Sequence, residues 1–482
     1  MERKNAWKSY TDQDKANLEA LCEGYKDFLS ECKTERLATK RAIEMAEGAG
    51  YMSLKEAIAA DKTLKPGDKV WIDNYGKAIM LVQIGTNDVE AGVNILGAHI
   101  DSPRLDLKQN PLYEASDFVL LDTHYYGGIK NYQWVALPLA LKGVVAKKDG
   151  TVVDISLGDD PADPVFCVTD LLPHLGAEQM KKNGREVVEG ESLDVLFGSE
   201  PLIVETAEGD ENKPTKKEQT YEEQIASTAQ KEAVRAHIMQ LLLERYSIEE
   251  EDFLSAEIEV VPAGDARDCG LDRSMVIGYG QDDRVCAYTS LVAQLAVEDP
   301  ARTAVCILVD KEEIGSVGAT GMTSAFFENT MAEILNLMGK QGDLALRRCL
   351  ANSSMLSSDV SAAFDPSYAS VFESKNSAYC GRGLVFNKYT GSGGKSGSND
   401  ANAEYMAALR KIMDDAGVSY QTAELGRVNA GGGGTIAYIP AKYGMNVIDS
   451  GVAVLSMHSP WEVTSKADIY EAYKGYKAFL NA

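Results

Sequence analysis

Hydrophobic and polar positions follow two different periods along the chain, and the change of period divides it into distinct stretches. Residues 12 to 48 place apolar side chains such as Leu18, Leu21 and Tyr25 at helical spacing with charges between them, which predicts helix. Residues 117 to 170 instead contain short β segments separated by glycine- and aspartate-rich turns, which is typical of a small β-rich domain. Between these stretches, apolar runs predict strands at 69–72, 78–84 and 93–98.

Beyond residue 264 the pattern changes again to alternating apolar helices and strands. We expect helices at 284–297 and 323–338 and a fully buried strand at 303–309, whose side chains are apolar and largely β-branched. The polar, charged stretch 207–224 predicts an exposed loop. The simplest partition is therefore an α/β domain formed by residues 1–104 and 265–482, interrupted by a β-rich insertion at 105–264.

Composition excludes several classes of partner. The 482 residues carry 73 acidic and 48 basic side chains, a net charge of −25, which argues against nucleic acid and against anionic membranes. No apolar run approaches the roughly 20 residues that cross a bilayer, and no signal-type segment follows Met1, so we expect a cytoplasmic protein. The eight cysteines include no C-x-x-C pair, which predicts reduced core residues and no thiolate zinc site.

Candidate chemistry begins where the apolar strand 303–309 ends. Glu312 and Glu313 stand side by side in the turn that follows, within Asp310-Lys311-Glu312-Glu313-Ile314-Gly315-Ser316. Ligands in α/β sheets collect at the carboxyl ends of strands. A turn also allows neighbouring side chains to converge on one point, so one carboxylate can hold a cation while the other moves a proton.

Other polar residues stand at similar strand ends. His99 ends the run 93–98, and Asp101 follows at a spacing that allows it to orient the imidazole. His458 ends a second apolar run. Acidic candidates are Asp359 and either Asp282 or Asp283. Taken alone, Asp359 is equally typical of an Asx-turn, and Asp282 or Asp283 is equally typical of a helix N-cap.

Together these residues predict a metal site. Five imidazole and carboxylate ligands around one bridging carboxylate suit two divalent ions, and the absence of thiolate fits zinc, cobalt or manganese. Glu312 is then the expected general base. A metal-activated water beside a polarised carbonyl makes amide hydrolysis the expected reaction.

The ordered motifs resemble those of the M18 family of metalloaminopeptidases, which includes aspartyl aminopeptidase and aminopeptidase I. The resemblance spans nearly the whole chain and implies a zinc-peptidase-like, three-layer α/β catalytic domain with a mixed β-sheet. It implies that two divalent ions, zinc above all, are bound by His99 and Asp359 on one side and Glu313 and His458 on the other. Asp282 would bridge them, Glu312 would be the base and Asp101 would orient His99. The motifs are Gly97-Ala98-His99-Ile100-Asp101-Ser102-Pro103, the Asp310–Ser316 run, Ser357-Ser358-Asp359 and Met457-His458-Ser459-Pro460-Trp461-Glu462.

The same resemblance implies an assembly and a substrate contact. The insertion at 105–264 would be a dimerisation domain within a tetrahedral shell of twelve subunits, and His174 would reach a neighbour's active site. Lys388 or Lys395 would contact an acidic first residue of a peptide substrate. The glycine run at 431–434 departs from the aspartyl enzymes and leaves a neutral or hydrophobic preference open.

The predicted function is a two-metal aminopeptidase that hydrolyses the N-terminal peptide bond. A second possibility is another metal-dependent amidohydrolase on the same scaffold, either a carboxypeptidase or a deacylase. A third is an inactive, shell-forming binding protein, against which the presence of every expected ligand argues.

Overall fold

The computed structural model describes residues 4–204 and 219–482, and the chain divides into two compact units. The first unit is discontinuous and comprises Met1–Ser102 and Asp265–Ala482, and the second is Pro103–Gly264. Most of the loop predicted at 207–224 lies outside the described residues. Within the described ranges, no helix is both long enough and apolar enough to span a membrane.

The helices of the described ranges belong mostly to the first unit. Only α4 and α5 lie in the second unit. The bounds are α1 (Asp12–Glu31), α2 (Glu35–Gly48), α3 (Leu54–Ala59), α4 (Tyr221–Thr228), α5 (Ala233–Tyr246), α6 (Gln281–Leu295), α7 (Phe326–Leu337), α8 (Asp343–Ala351), α9 (Ala403–Asp415), α10 (Tyr438–Ala441) and α11 (Lys466–Leu480).

The strands of the described residues form three sheets, of which one lies in the second unit. Their bounds are β1 (Met52–Ser53), β2 (Lys69–Asn74), β3 (Ala78–Gln83), β4 (Asn94–His99), β5 (Arg104–Ala115), β6 (Phe118–Tyr126), β7 (Leu139–Ala146), β8 (Val152–Leu157), β9 (Cys167–Val168), β10 (Val195–Gly198), β11 (Ala256–Pro262), β12 (Arg267–Cys269), β13 (Met275–Gly278), β14 (Ala304–Val309), β15 (Ser354–Ser357), β16 (Ser361–Ala362), β17 (Leu384–Asn387), β18 (Tyr420–Thr422), β19 (Asn446–Gly451), β20 (Ala453–Leu455) and β21 (Glu462–Ser465).

The helical stretch predicted at 12–48 is two helices. Thr34 interrupts it, because its side chain accepts a hydrogen bond from the backbone N–H of Leu37 and so caps the start of α2. An N-cap residue has extended backbone, and Thr34 has φ −129° and ψ 159°. The apolar period continues across the break, which is why periodicity alone did not reveal it.

The main sheet of the first unit is mixed, in the order β1-β2-β3-β14-β4-β15-β19-β17-β18. Its central strands β14, β4, β15 and β19 are parallel. On either side of them, β3 runs antiparallel to β14 and β17 runs antiparallel to β19. The carboxyl ends of β4, β14 and β15 therefore meet at one edge, where ligands of α/β sheets are expected.

Two hydrophobic clusters cover the two faces of this sheet. Successive strand residues alternate between them: Leu96 and Cys306 belong to the cluster with α1, α6 and α11, whereas Ile95 and Val305 belong to the cluster with α7 and α8. Helices thus pack on both sides of a sheet whose inner strands are apolar on both faces. This mixed α/β architecture confirms the predicted fold class.

A smaller sheet in the first unit, in the order β12-β13-β21-β20-β16, carries the chain into and out of the segment that contains His458. The second unit is built on an antiparallel sheet in the order β8-β7-β11-β5-β6-β10-β9. The eight cysteines all lie in the described ranges, and all are free.

Candidate metal centre and active site

His99 is the last residue of β4 and is almost completely buried. Its Nδ1 atom lies 3.0 Å from the carbonyl oxygen of Asp101 and 3.3 Å from Asp101 Oδ1, which leaves Nε2 directed toward the other site residues. The carboxylate of Asp101 also accepts hydrogen bonds from the backbone N–H groups of Glu312 and Glu313, at 3.1 and 3.2 Å. Asp101 therefore fixes both the imidazole and the turn that presents the two glutamates.

Asp282 lies between the two histidines. Its Oδ1 is 3.3 Å from His99 Nε2, and its Oδ2 is 3.3 Å from His458 Nε2. The neighbouring Asp283 has a different environment, because its Oδ2 accepts a hydrogen bond from the backbone N–H of His99 at 3.4 Å. The geometry thus separates two aspartates that the sequence pattern alone left equivalent.

Glu312 and Glu313 occupy a tight turn after β14. Lys311 at φ +68° and Gly315 at φ +96° reverse the chain on either side of them, so both side chains face the same edge of the sheet. Glu313 Oε2 lies 3.6 Å from His458 Nε2, and Glu312 Oε2 lies 3.9 Å from His99 Nε2.

Among the described residues, two groups of ligand atoms are close enough to hold a cation. In each group the candidate atoms lie within 4.8 Å of one another. The first group is His99, Asp282 and Glu313, and the second is His99, Glu312 and Asp359. The structure therefore brings together the five predicted ligands, the predicted base and Asp101.

Burial dominates the electrostatics of these carboxyl groups. It raises the pKa of Glu312 to about 7 and also raises the pKa values of Glu313 and Asp359. Burial acts in the same direction on Asp282, yet the imidazoles of His458 and His99 lower its pKa overall. So many buried carboxyl groups are stable together only if some are protonated or a compensating positive charge is present.

The residues present fit divalent metal ions. Glu313 Oε1 is buried and has no hydrogen-bond partner among the described residues, so it is available to a cation. The donor set of two imidazoles and several carboxylates, without a thiolate, is one that zinc accepts.

A further buried carboxylate supports the site. Glu462 Oε2 accepts a hydrogen bond from the backbone N–H of Asp282 at 3.0 Å, and its Oε1 accepts one from the backbone N–H of His458 at 2.8 Å. Ser102 Oγ also donates to the carbonyl oxygen of Asp282, at 2.7 Å. Sequence reasoning did not assign these roles, although both residues stand within the quoted motifs. Membership of these motifs could have marked Ser102 and Glu462 as candidates, but their hydrogen bonds to backbone groups are visible only in the structure.

A cavity of about 480 Å³ opens beside the cluster. The glycine run contributes Gly432 to Gly434 to its wall. Lys388 is not among its lining residues; it and Lys395 both pair with Asp400. His174 is exposed on the second unit.

Comparison with known proteins identifies the family. Residues 28–480 match the family model described as aminopeptidase I zinc metalloprotease (M18). This chain belongs to the M18 family. The M18 chain is accordingly a hydrolase, a metal-dependent aminopeptidase.

Individual M18 relatives cover the chain from end to end. A probable M18 family aminopeptidase 1 of Clostridium acetobutylicum is 56% identical, and the alignment covers 100% of this chain and 98% of the relative. The crystal structure of an M18 aminopeptidase from Thermotoga maritima superposes with a TM-score of 0.90 at 42% identity, covering 100% and 99% of the two chains. The structure of the S. cerevisiae mApe1 dodecamer shares the fold, with a TM-score of 0.74 at 19% identity and coverage of 96% and 97%.

Proposed function

We propose that this M18 chain is a two-metal aminopeptidase that removes single residues from the N-termini of peptides, with Glu312 as general base. The observation that carries the proposal is the position of Asp282, whose two oxygens each lie 3.3 Å from a different histidine. A carboxylate so placed can bridge two ions. His99 with Asp359 and His458 with Glu313 complete the two ligand sets.

When bound, two divalent ions would supply a water of lowered pKa and would polarise the scissile carbonyl group. Glu312 would accept the proton of the attacking water and return it to the departing nitrogen. Without metal, burial raises the pKa of Glu312 to about 7. Asp101 would accept a hydrogen bond from Nδ1–H of His99, which leaves Nε2 unprotonated and directed toward the ligand cluster.

Metal analysis and one substitution test this proposal. We expect two zinc ions per chain and loss of aminoacyl anilide hydrolysis after chelation, with recovery on adding zinc back. Glu312→Gln should retain the metal and lose activity by about 10³-fold or more. The exposed Glu404→Gln is the matched control and should behave as wild type. A fully active Glu312→Gln enzyme would show that the base is another residue.

The alternative amidohydrolases are separated from an aminopeptidase by one pair of substrates. An aminopeptidase requires a free N-terminus, whereas a carboxypeptidase or deacylase tolerates or requires an acylated one. We expect a free tripeptide to be hydrolysed and its N-acetylated form to be inert.

We also propose that the second unit mediates assembly into a tetrahedral dodecamer. Support comes from its exposed apolar segment, in which Leu171, Leu172, Leu175 and Met180 are 53, 50, 69 and 73% exposed. His174 lies within this segment and is the residue proposed to reach a neighbouring active site. Mass photometry should give twelve chains, and Leu172→Asp with Leu175→Asp should give smaller species, whereas Glu404→Gln should not.

A further inference from the structure

A second cavity lies at one edge of the main sheet, beside β18. Its volume is about 770 Å³, and it shares no lining residue with the cavity beside the metal-ligand cluster. Gln421 and Thr422 of β18 form part of its wall, together with a loop at 374–379 and residues of α9. Strands β19 and β17 stand between β18 and β15, the strand that precedes the ligand Asp359. The cavity is therefore separate from the candidate metal centre.

Three basic side chains line this second cavity, and no acidic side chain of the described residues does. Lys375 comes from the loop, Arg382 from the segment that precedes β17, and Arg410 from α9. Within the described ranges, none of the three takes part in an ion pair. The chain as a whole has 73 acidic and 48 basic residues, so the cavity has the opposite sign of charge to the rest of the protein. Such a cavity attracts anions.

Two neighbouring basic residues near the end of α9 behave differently. Lys411 pairs with Asp415, four residues later, at 2.5 Å. Arg410 has Asp414 at the same helical spacing, which favours an ion pair. No ion pair joins Arg410 to Asp414 in the described part of the chain, and the Arg410 side chain lines the cavity instead. Its guanidinium group is thus available to a ligand.

Arg382 is held in place by its surroundings. Its guanidinium carbon lies 4.1 Å from the centre of the Tyr379 ring, and that ring stacks on Phe364 with the ring centres 5.0 Å apart. The residues before and after Arg382 both donate backbone N–H groups to the buried carboxylate of Asp468, at 2.7 Å. A guanidinium group fixed in this way loses little conformational entropy on binding, and its planar donors suit phosphate or carboxylate oxygens.

Hydroxyl groups add neutral donors to the same wall. Ser374 and Thr422 line the cavity, and neither hydroxyl group is hydrogen-bonded to another described residue. Together with the three cations, these groups offer more donors than the two oxygens of a single carboxylate can accept. A phosphate group carries more charge and three strong acceptor oxygens. Linked phosphate groups therefore match the cavity better than a carboxylate does.

We propose that this cavity binds a small molecule with two or more linked phosphate groups, held by Lys375, Arg382 and Arg410. The two arginines would make charge-assisted hydrogen bonds to phosphate oxygens, and Lys375 would add a third charge. The volume of about 770 Å³ leaves room for an organic group attached to the phosphates. Inorganic polyphosphates and nucleotides share this chemistry. The proposal does not depend on the aminopeptidase mechanism, because none of the proposed metal ligands lines the cavity.

Isothermal titration calorimetry of the zinc-loaded enzyme tests the site. Tripolyphosphate and ATP are titrated separately with excess magnesium, so that neither removes zinc from the enzyme. We expect one site per chain and an affinity that falls as the salt concentration rises. Arg382→Gln and Arg410→Gln should each raise Kd by about 10-fold or more. Lys411→Gln removes a neighbouring charge that does not line the cavity, so this matched control should keep the wild-type Kd.

The outcomes identify the ligand or exclude the site. Tripolyphosphate binding at least as tight as ATP binding supports a site for phosphate chains alone, and tighter ATP binding supports a nucleotide site. Citrate binding as tight as that of both phosphate ligands would overturn the proposed phosphate site. Absence of binding, or an unchanged Kd in both arginine variants, would also overturn it. If Arg382→Gln fails to fold, Arg410→Gln and Lys375→Gln, which replace exposed side chains, still decide the question.

Discussion

The two halves of the candidate metal centre carry similar ligands but are built differently. His99 ends a central strand, its side chain is 1% exposed, and Asp101 holds its ring. His458 lies in the loop between β20 and β21, its side chain is 37% exposed, and its backbone has φ +64°. One imidazole is thus part of the packed core, and the other is presented by a loop at the mouth of the cavity.

This difference predicts unequal metal positions. A ligand already fixed by packing loses little conformational entropy when it binds an ion, whereas a loop ligand must be ordered. We therefore expect the ion at His99 and Asp359 to bind more tightly and exchange more slowly than the ion at His458 and Glu313. Asp282 couples the halves, because it contacts both histidines.

The largest effect should follow from the residue that joins the halves. Asp282→Asn removes the negative charge between two imidazoles, so we expect loss of both ions and a fall in kcat/KM of about 10³-fold or more. Mass spectrometry measures the zinc content, and anilide hydrolysis measures kcat/KM. Asp414→Asn, on the exposed face of α9, is the control. Retention of both ions would show that Asp282 is not the bridge.

The two histidines should give different defects. His458→Ala should lose one ion and nearly all activity while the melting temperature changes little, since the side chain is partly exposed. His99→Ala should also unfold more easily, by about 2 kcal/mol or more, because it leaves buried carboxyl groups without their partner. Thermal unfolding of both metal-free variants checks this. Equal destabilisation would contradict the division of the centre into a packed half around His99 and an open half around His458.

A smaller effect should follow from the supporting carboxylates. Asp101→Asn removes the charge beside the His99 ring, and Glu462→Gln removes the charge that accepts the backbone N–H of His458; each should weaken metal binding by about 10- to 100-fold, most strongly at the ion bound by that histidine. Competition with a fluorescent zinc chelator measures the two affinities separately. We expect Asp101→Asn to affect the tighter ion and Glu462→Gln the weaker one, and the reverse assignment would refute the comparison.

The smallest effect concerns the loop of the open half. Ser456 has φ +58° and is exposed, so glycine should relieve left-handed strain and stabilise the protein by about 0.5 kcal/mol. Ser9→Gly, at φ −103°, is the control and should destabilise by a similar amount. Denaturant unfolding resolves the sign, and destabilisation by Ser456→Gly would show that the loop is unstrained.

Much of this site was predictable because parallel strands place their carboxyl ends at one edge. That rule brought His99, Glu312 and Asp359 together from widely separated motifs. The rule did not choose between Asp282 and Asp283. These two neighbours stand in the same sequence context at the irregular start of α6, and they differ only in the atoms that their carboxylate oxygens contact.

Other features depend on long-range contacts that no local pattern encodes. Glu462 acts on Asp282 through a backbone N–H 180 positions earlier in the chain. The family resemblance predicted Lys388 as a substrate contact, and that role stays a prediction. Its ion pair with Asp400 was not visible in the sequence.

The discontinuity of the first unit also has a consequence for protein synthesis. The second unit, Pro103–Gly264, is one continuous segment, so all of its residues are made before those of the later ligands. His99 emerges early and His458 late, and at roughly 5 to 20 residues per second the interval between them is roughly 20 to 70 s. During that time a nascent chain holds only part of its metal ligands. The full set of proposed ligands is therefore present only after His458 has been synthesised.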